Sequence, residues 1–169
     1  MRVKLIMKSK LKKENGNIAI LFALMFTVII SFLSLALDLG MAYAYRGRMM
    51  EVAQVMRDTR FTKDAAIGDL SMHDEHPGAT MKNKLIEYAR KNDFNGKVTI
   101  TYDEYETSHS SRKYKVRIML EDTYECTTLK CVGIDKLDLC VVVNGSGDRN
   151  GSVWTPAHVD NGTWTDGPL

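Results

Sequence analysis

The chain has 169 residues and a formal net charge of +2, and this near balance hides an uneven distribution of charge. The first 16 residues contain six of the 23 Lys and Arg residues and one acidic residue, Glu14. The rest of the chain contains 17 basic and 20 acidic residues. Lysines beside an apolar run set membrane topology and contact anionic lipid, so the basic tail, residues 1–16, does not indicate nucleic-acid binding.

A continuous apolar run follows the tail, from Ile18 to Leu37, and only three hydroxyl residues interrupt it. A helix of that length covers about 30 Å, the thickness of the hydrocarbon core of a bilayer. Signal-peptide apolar regions are shorter, about 7–15 residues, and the weak cleavage-like triplet Ala42-Tyr43-Ala44 lies beyond the run. The run therefore predicts an uncleaved, single-pass span. Because short basic flanks stay inside, the amino terminus is expected in the cytoplasm and residues 38–169 outside the cell membrane.

The helical pattern continues past the span, and residues 17–60 are predicted to form one long helix. Such a helix would be about 65 Å long, so roughly half of it would project beyond the bilayer. Gly40 and Gly47 interrupt it on nearly the same face, where they favour close approach of another helix, permit a bend, or are merely tolerated. Apolar residues recur at spacings of three, four or seven along the projecting half: Leu39, Ala42, Met49, Ala53 and Met56.

Two segments of this helix, GNIAILFALM and LALDLGMAYAYRGRMMEVA, resemble the amino-terminal segment of TadE/TadG-like proteins of tight-adherence (Flp-type) pilus machinery. The shared pattern is a glycine before an apolar run, Asp-x-Gly at its outer end, and then a tyrosine and an Arg-x-Arg step. The residues that carry it are Gly16, Asp38, Gly40, Tyr43, Arg46, Arg48 and Met49. The chain departs from the family after this motif, where an Asp and an alanine run are replaced by residues 54–57.

Gly16 and Asn17 mark the processing site that the resemblance implies, but a second feature of processed pilins is missing. Those pilins usually carry Glu five residues after the cut, and this chain has Leu21 there. A carboxylate inside an apolar run is costly in lipid unless it finds a partner, and in pilins it is thought to pair with the freed amine of a neighbouring subunit. The chain therefore resembles the uncleaved, membrane-retained members of the group, or a minor subunit that enters a fibre without this contact.

The part outside the membrane, about 130 residues, is long enough for one small domain and not two. Residues 61–143 are predicted to form an α+β domain, with one helix of about 13 residues after the His76-Pro77-Gly78 break and an antiparallel sheet of about three strands. The third strand is predicted at Leu137–Val143. A long transmembrane helix that extends into a small antiparallel sheet is the plan of pilin-like proteins, and the resemblance implies the same fold.

Alternation of apolar and polar residues predicts that the first two strands form a hairpin. The apolar set is Val98, Ile100 and Tyr102 on one strand, and Tyr114, Val116, Ile118 and Leu120 on the other. Two registers keep both sets on one face, one with Ile100 opposite Ile118 and one with Ile100 opposite Val116.

Three cysteines lie in the last third of the chain. Outside the cytoplasm disulfides form, so a Cys126–Cys131 bridge around a short loop is predicted, and three free thiols are the alternative. Cys140 then has no partner within the chain. Zinc is not expected, because no fourth ligand stands at a finger-like spacing.

The sequence contains few residue patterns that are typical of catalysis or metal binding. The stretch His73–His76, HDEH, is not a His-Glu-x-x-His motif, and Pro77 argues against a helix that presents both imidazoles, so we interpret it as a solvated loop. Neither a nucleophile motif nor a phosphate-binding glycine loop occurs. We expect no enzymatic activity, no cofactor and no metal site.

Residues 144–169 are rich in Gly, Asn, Asp, Ser and Thr and are predicted to be a flexible tail. The Asn-Gly steps at Asn144, Asn150 and Asn161 are also glycosylation sequons, although turns explain them without a glycan. Trp154 and Trp164 are expected to pack the tail onto the domain, with stacking on sugars as the alternative.

Two functions follow from these patterns. The first is a non-enzymatic, pilin-like component of a tight-adherence pilus-assembly or secretion system, whose partners are membrane lipid and other pilin-like subunits or membrane proteins of pilus assembly. The second is a membrane-tethered binding module at the cell surface, in which the helix is only an anchor.

Overall fold

The computed structural model describes residues 2–59, 76–108, 111–150 and 161–168. The chain divides into two compact units. The helix unit comprises Met1–Met41 and Cys126–Asp135, and the sheet unit comprises Ala42–Glu125 and Lys136–Leu169. The elements in chain order are helix α1 (Arg2–Thr59), helix α2 (Pro77–Lys91), strands β1 (Lys97–Thr107) and β2 (Ser111–Glu125), a 3-10 turn (Leu129–Val132), and strands β3 (Lys136–Asn150) and β4 (Gly162–Asp166).

Helix α1 is described over 58 residues, Arg2–Thr59. It begins at Arg2, so the basic segment that was predicted to precede the helix is itself helical. In the helix unit, the side chains from Ile18 to Leu37 are exposed, apart from the half-buried Ser34. In the described part of the chain one helix is long and apolar enough to cross a membrane, judged by length and composition, and it lies near the amino terminus.

The sheet has four antiparallel strands in the order β3-β2-β1-β4, so the prediction of about three strands was one short. Ile100 lies opposite Ile118 and Asp103 opposite Lys115, which selects the first of the two predicted registers. A bulge between Glu104 and Glu106 shifts this register, and the pairing resumes with Glu106 opposite Lys113. The α+β class, with a long apolar amino-terminal helix, is confirmed.

The core of the sheet unit lies between one face of the sheet and the two helices. All seven alternating apolar residues of the hairpin are buried, as predicted. From the predicted stripe of α1, Ala42, Met49, Ala53 and Met56 are buried, whereas Leu39 is half exposed. Helix α2 starts with Pro77 in its first turn, where proline is favoured, and buries Met81, Leu85 and Ala89 at helical spacing.

The prediction of a flexible tail over residues 144–169 was wrong for the parts that the structure describes. β3 continues to Asn150, so the Asn144-Gly145 step lies inside a strand, and β4 adds a further strand along β1. Trp164 lies opposite Ile100 and packs against the core, in agreement with its expected role. The backbone pairing supplied by β1 and β2 holds these polar segments, which carry no apolar periodicity of their own. Trp154 and His73–Glu75 lie outside the described residues.

Candidate functional site

Asp38 is the most distinctive polar residue of the helix unit, because it is 0% exposed although it stands one residue after the apolar run. Its Oδ1 accepts a hydrogen bond from the Thr127 backbone N–H at 3.1 Å. Its Oδ2 accepts from the N–H groups of Thr128 at 2.9 Å and Leu129 at 2.6 Å. A buried carboxylate is tolerated only when its oxygens are satisfied in this way. Asp38 therefore fastens a distant segment, the Cys126–Asp135 loop, to helix α1.

The local structure of the Cys126–Asp135 loop explains why it needs an acceptor. The loop contains the 3-10 turn Leu129–Val132, and Thr128 at its start makes no capping bond with its own side chain. The N–H groups at the start of such a turn have no partner within it, and a carboxylate is well suited to accept from them. Here the cap comes from α1, up to 91 residues earlier in the chain.

The Thr128 hydroxyl adds a second point of attachment to α1. Its Oγ1 lies 2.9 Å from the Ser34 carbonyl oxygen and 2.9 Å from Oδ2 of Asp38. A hydroxyl has one proton to donate, so it serves one of these acceptors at a time. The loop is thus held both at Asp38 and one helical turn earlier, inside the apolar run.

The Cys126–Asp135 loop is also closed on itself. The Cys126 N–H donates to the Asp135 carbonyl oxygen at 2.9 Å, and the Ile134 N–H donates to the Leu129 carbonyl oxygen at 3.2 Å. Gly133 has a φ of 84°, the left-handed conformation that lets the chain leave the turn. Cys126 and Leu129 are buried. The loop is therefore a small folded element and not an open connection.

The three cysteines are free thiols, so the predicted Cys126–Cys131 bridge is not formed in this structure. Cys126 is buried, and Cys131 and Cys140 are exposed. Burial raises the pKa of the Cys126 thiol, and the nearby Asp38 carboxylate raises it further. Cys126 behaves as a small, buried apolar side chain.

The residues that carry the family resemblance separate into two groups. Asp38 and Met49 are buried and structural. The exposed residues are Gly40, Tyr43, Arg46 and Arg48. A Cβ atom at Gly40 would meet no atom within 4 Å, and Tyr43 is 78% exposed. The Gly16–Asn17 peptide bond lies inside α1.

A buried ion pair lies near the bulge of the sheet unit. Nε of Arg112 is 3.4 Å from Oε1 of Glu104, and the Tyr102 hydroxyl donates to the same oxygen at 2.8 Å. Burial raises the pKa of Tyr102, and the Glu104 carboxylate raises it further, so the phenol stays protonated. The Glu104 carboxylate is thus buried beside a cation and accepts a hydrogen bond from the phenol, which offsets part of the cost of burying its charge.

The outer face of the sheet carries an open groove of about 390 Å³. Six polar side chains from three strands line it: Thr101, Asp103, Lys115, Arg117, Asn144 and Ser146. The groove offers two cations and one carboxylate. Across the described ranges, no group of three or more His, Cys, Asp or Glu side chains is placed to hold a metal ion. His76, the described member of the HDEH stretch, is exposed.

No protein-family model, curated protein or solved structure matches this chain. The resemblance to TadE/TadG-like proteins consequently rests on the motif residues of α1 alone.

Sequence reasoning singled out Asp38 as a motif residue but missed its partners. Thr127 and Thr128, directly before an apolar Leu129, are a recognisable signal for a turn that begins with unpaired N–H groups. The single acid at the end of the apolar run is the matching signal. Nothing in the local sequence joins the two.

Proposed function

We propose that this chain is a non-enzymatic, pilin-like component of a tight-adherence, type IV-type pilus-assembly or secretion system. It is retained in the membrane or acts as a minor subunit, with its amino terminus in the cytoplasm and residues 38–169 outside. The observation that carries the proposal is the construction of α1. One helix supplies an exposed apolar segment at Ile18–Leu37 and then contributes Met49, Ala53 and Met56 to the core of an α+β unit. The motif residues of the tight-adherence family lie on this same helix.

Exposed small residues on α1 support lateral packing with other pilin-like helices. A Cβ atom at Gly40 or at Gly47 would meet nothing within 4 Å, so this side of the helix is open to a neighbour. Small residues let helix backbones approach closely, and in lipid such packing drives helix association. Leu21, in place of the pilin Glu, favours a component that stays in the membrane.

A replacement of the span tests the proposal. Residues 18–37 are exchanged for an unrelated transmembrane helix of equal length, and the variant is expressed in cells that lack the native gene. We expect the protein to reach the membrane but to lose pilus assembly or secretion, because its packing surface is gone. The matched control keeps residues 18–37 and carries Gln54→Ala, an exposed position on the same helix. Full function with the foreign span would contradict an assembly role for the helix.

The second candidate function, a membrane-tethered binding module, is favoured by the groove on the outer face of the sheet. In that case the foreign span preserves function, and a variant that removes the groove charges, Lys115→Gln with Arg117→Gln, abolishes it. The two candidates therefore predict opposite results for the same pair of variants.

A further inference from the structure

The attachment points of the Cys126–Asp135 loop fix its position along α1. Asp38 follows the last residue of the apolar run, and Ser34 lies about 4.5 Å inside its end at 1.5 Å per residue. The loop bonds to both of them. On each side of a bilayer the headgroup region is roughly 5–7 Å thick. If α1 spans the membrane, as the proposed function requires, the loop lies at the level of the outer headgroups.

The loop carries side chains suited to that level. Ile134 is 43% exposed, although it is a large apolar residue in a ten-residue segment. Lys130 and Cys131 are exposed on the 3-10 turn. An apolar side chain beside a lysine is a favourable combination at the border of hydrocarbon and headgroups, where the ammonium reaches lipid phosphates.

We infer that the Cys126–Asp135 loop is a lipid-contacting element that lies in the outer headgroup layer, with Ile134 and Lys130 against phospholipid. This inference rests on the membrane span of the proposed function and adds a partner for a part of the chain to which the resemblance assigns no role. Because Asp38 and Ser34 hold the loop to the helix, the lipid contact fixes the depth of α1 in the bilayer.

The native thiols allow a direct test in the full-length chain. In Cys140→Ser, Cys131 is the exposed thiol, and Cys126 is shielded by burial. An environment-sensitive fluorophore is attached to Cys131, and the protein is reconstituted into vesicles of phosphatidylcholine and phosphatidylglycerol. The vesicles contain lipid with a nitroxide quencher either on the headgroup or at the end of the acyl chain.

A second labelled protein reports on the span itself. It carries Val28→Cys, near the middle of the apolar run, together with Cys131→Ser and Cys140→Ser. We expect headgroup nitroxide to quench the Cys131 label more strongly than acyl-chain nitroxide does. At position 28 we expect acyl-chain nitroxide to be the stronger quencher. A Cys131 label that escapes both quenchers, while the label at position 28 is quenched from the acyl chain, would overturn the inference and leave the span intact. Loss of quenching at position 28 would instead remove the membrane span from the proposed function.

A change at Ile134 tests the lipid contact independently of depth. Ile134→Asp places a charge where we expect lipid, and it should reduce headgroup quenching of the Cys131 label. The reactivity of Cys126 is the folding control, because a Cys126 thiol that stays unreactive in this variant shows that the loop remains folded. Unchanged quenching with Cys126 still protected would refute lipid contact through Ile134, because the loop would keep its depth without that side chain.

Discussion

Replacing Asp38 by asparagine removes the negative charge that fastens the Cys126–Asp135 loop and leaves the size of the side chain almost unchanged. In one orientation, the amide nitrogen takes the place of Oδ2 and faces the N–H groups of Thr128 and Leu129, which are themselves donors. After rotation by 180°, the nitrogen faces the Thr127 N–H instead. Every orientation therefore leaves at least one N–H of the loop without an acceptor, and in the first orientation the buried Leu129 N–H is among them.

The size of the effect follows from these lost contacts. A hydrogen bond to a charged group contributes about 1.5–3 kcal/mol, and a buried donor without an acceptor costs about 1–3 kcal/mol. For one or two such losses, we expect the free energy of loop opening to fall by about 2–4 kcal/mol. At 1.4 kcal/mol for each factor of ten, opening becomes roughly 30- to 700-fold more frequent.

Modification of Cys126 measures this opening, because the thiol is buried while the loop is closed. When opening and closing are fast, the rate of modification follows the population of the open form. Cys131→Ser and Cys140→Ser remove the exposed thiols from the assay. Loss of the Asp38 charge also lowers the raised pKa of Cys126, so the rates are compared over a pH series that reaches full ionisation of the thiol.

The matched control is Asp135→Asn, which removes an exposed carboxylate from the same loop and leaves its backbone contacts in place. We expect it to change the rate of Cys126 modification by a small factor only. If Asp38→Asn and Asp135→Asn open the loop equally often, the hydrogen bonds that Asp38 accepts do not hold the loop closed.

Three further predictions concern the sheet unit, processing and topology. Ile118→Ala should lower the free energy of unfolding by about 2–5 kcal/mol, because Ile118 is fully buried. Lys115→Ala changes an exposed residue and should lower it by less than about 1 kcal/mol. Urea unfolding of both variants in detergent checks this, and equal losses would contradict it. Mass spectrometry of the membrane fraction should find mainly the full-length chain, and a mature amino terminus at Asn17 would identify a processed pilin instead. Protease added to wall-stripped intact cells should digest the chain beyond Asp38 and spare the lysine tail, and a protected sheet unit would reverse the orientation.

Periodicity in the sequence was a reliable guide where one face of an element is apolar. The alternation around Ile100 and Ile118 predicted the buried face and limited the pairing to two registers, because a shift of one residue would expose the set. The apolar stripe of α1 predicted burial in the same way for Ala42, Met49, Ala53 and Met56. Leu39 shows the limit of this reasoning, since a position on the stripe is buried only where another element covers it.

The elements that were missed depend on partners far away in the chain. β4 and the second half of β3 are polar and contain glycine, and their strands are specified by pairing with β1 and β2. A polar strand at the edge of a sheet has the same composition as a loop, so composition alone favoured a tail. The site at Asp38 was missed for the same reason, because its partners lie up to 91 residues further along the chain.

Because Asp38 and the loop that it binds lie far apart in the sequence, the helix is synthesised well before its partners. Helix α1 is synthesised first, and at about 5–20 residues per second the ribosome needs roughly 5–20 s to go from Asp38 to Leu129. During that interval the Asp38 carboxylate has no loop to hold, and water is its only source of hydrogen bonds. Met49 and Met56 also wait for the strands that will cover them. A nascent chain stalled before residue 97 therefore presents a carboxylate without its loop and an apolar helix face without its strands, and quality-control proteases are expected to remove it.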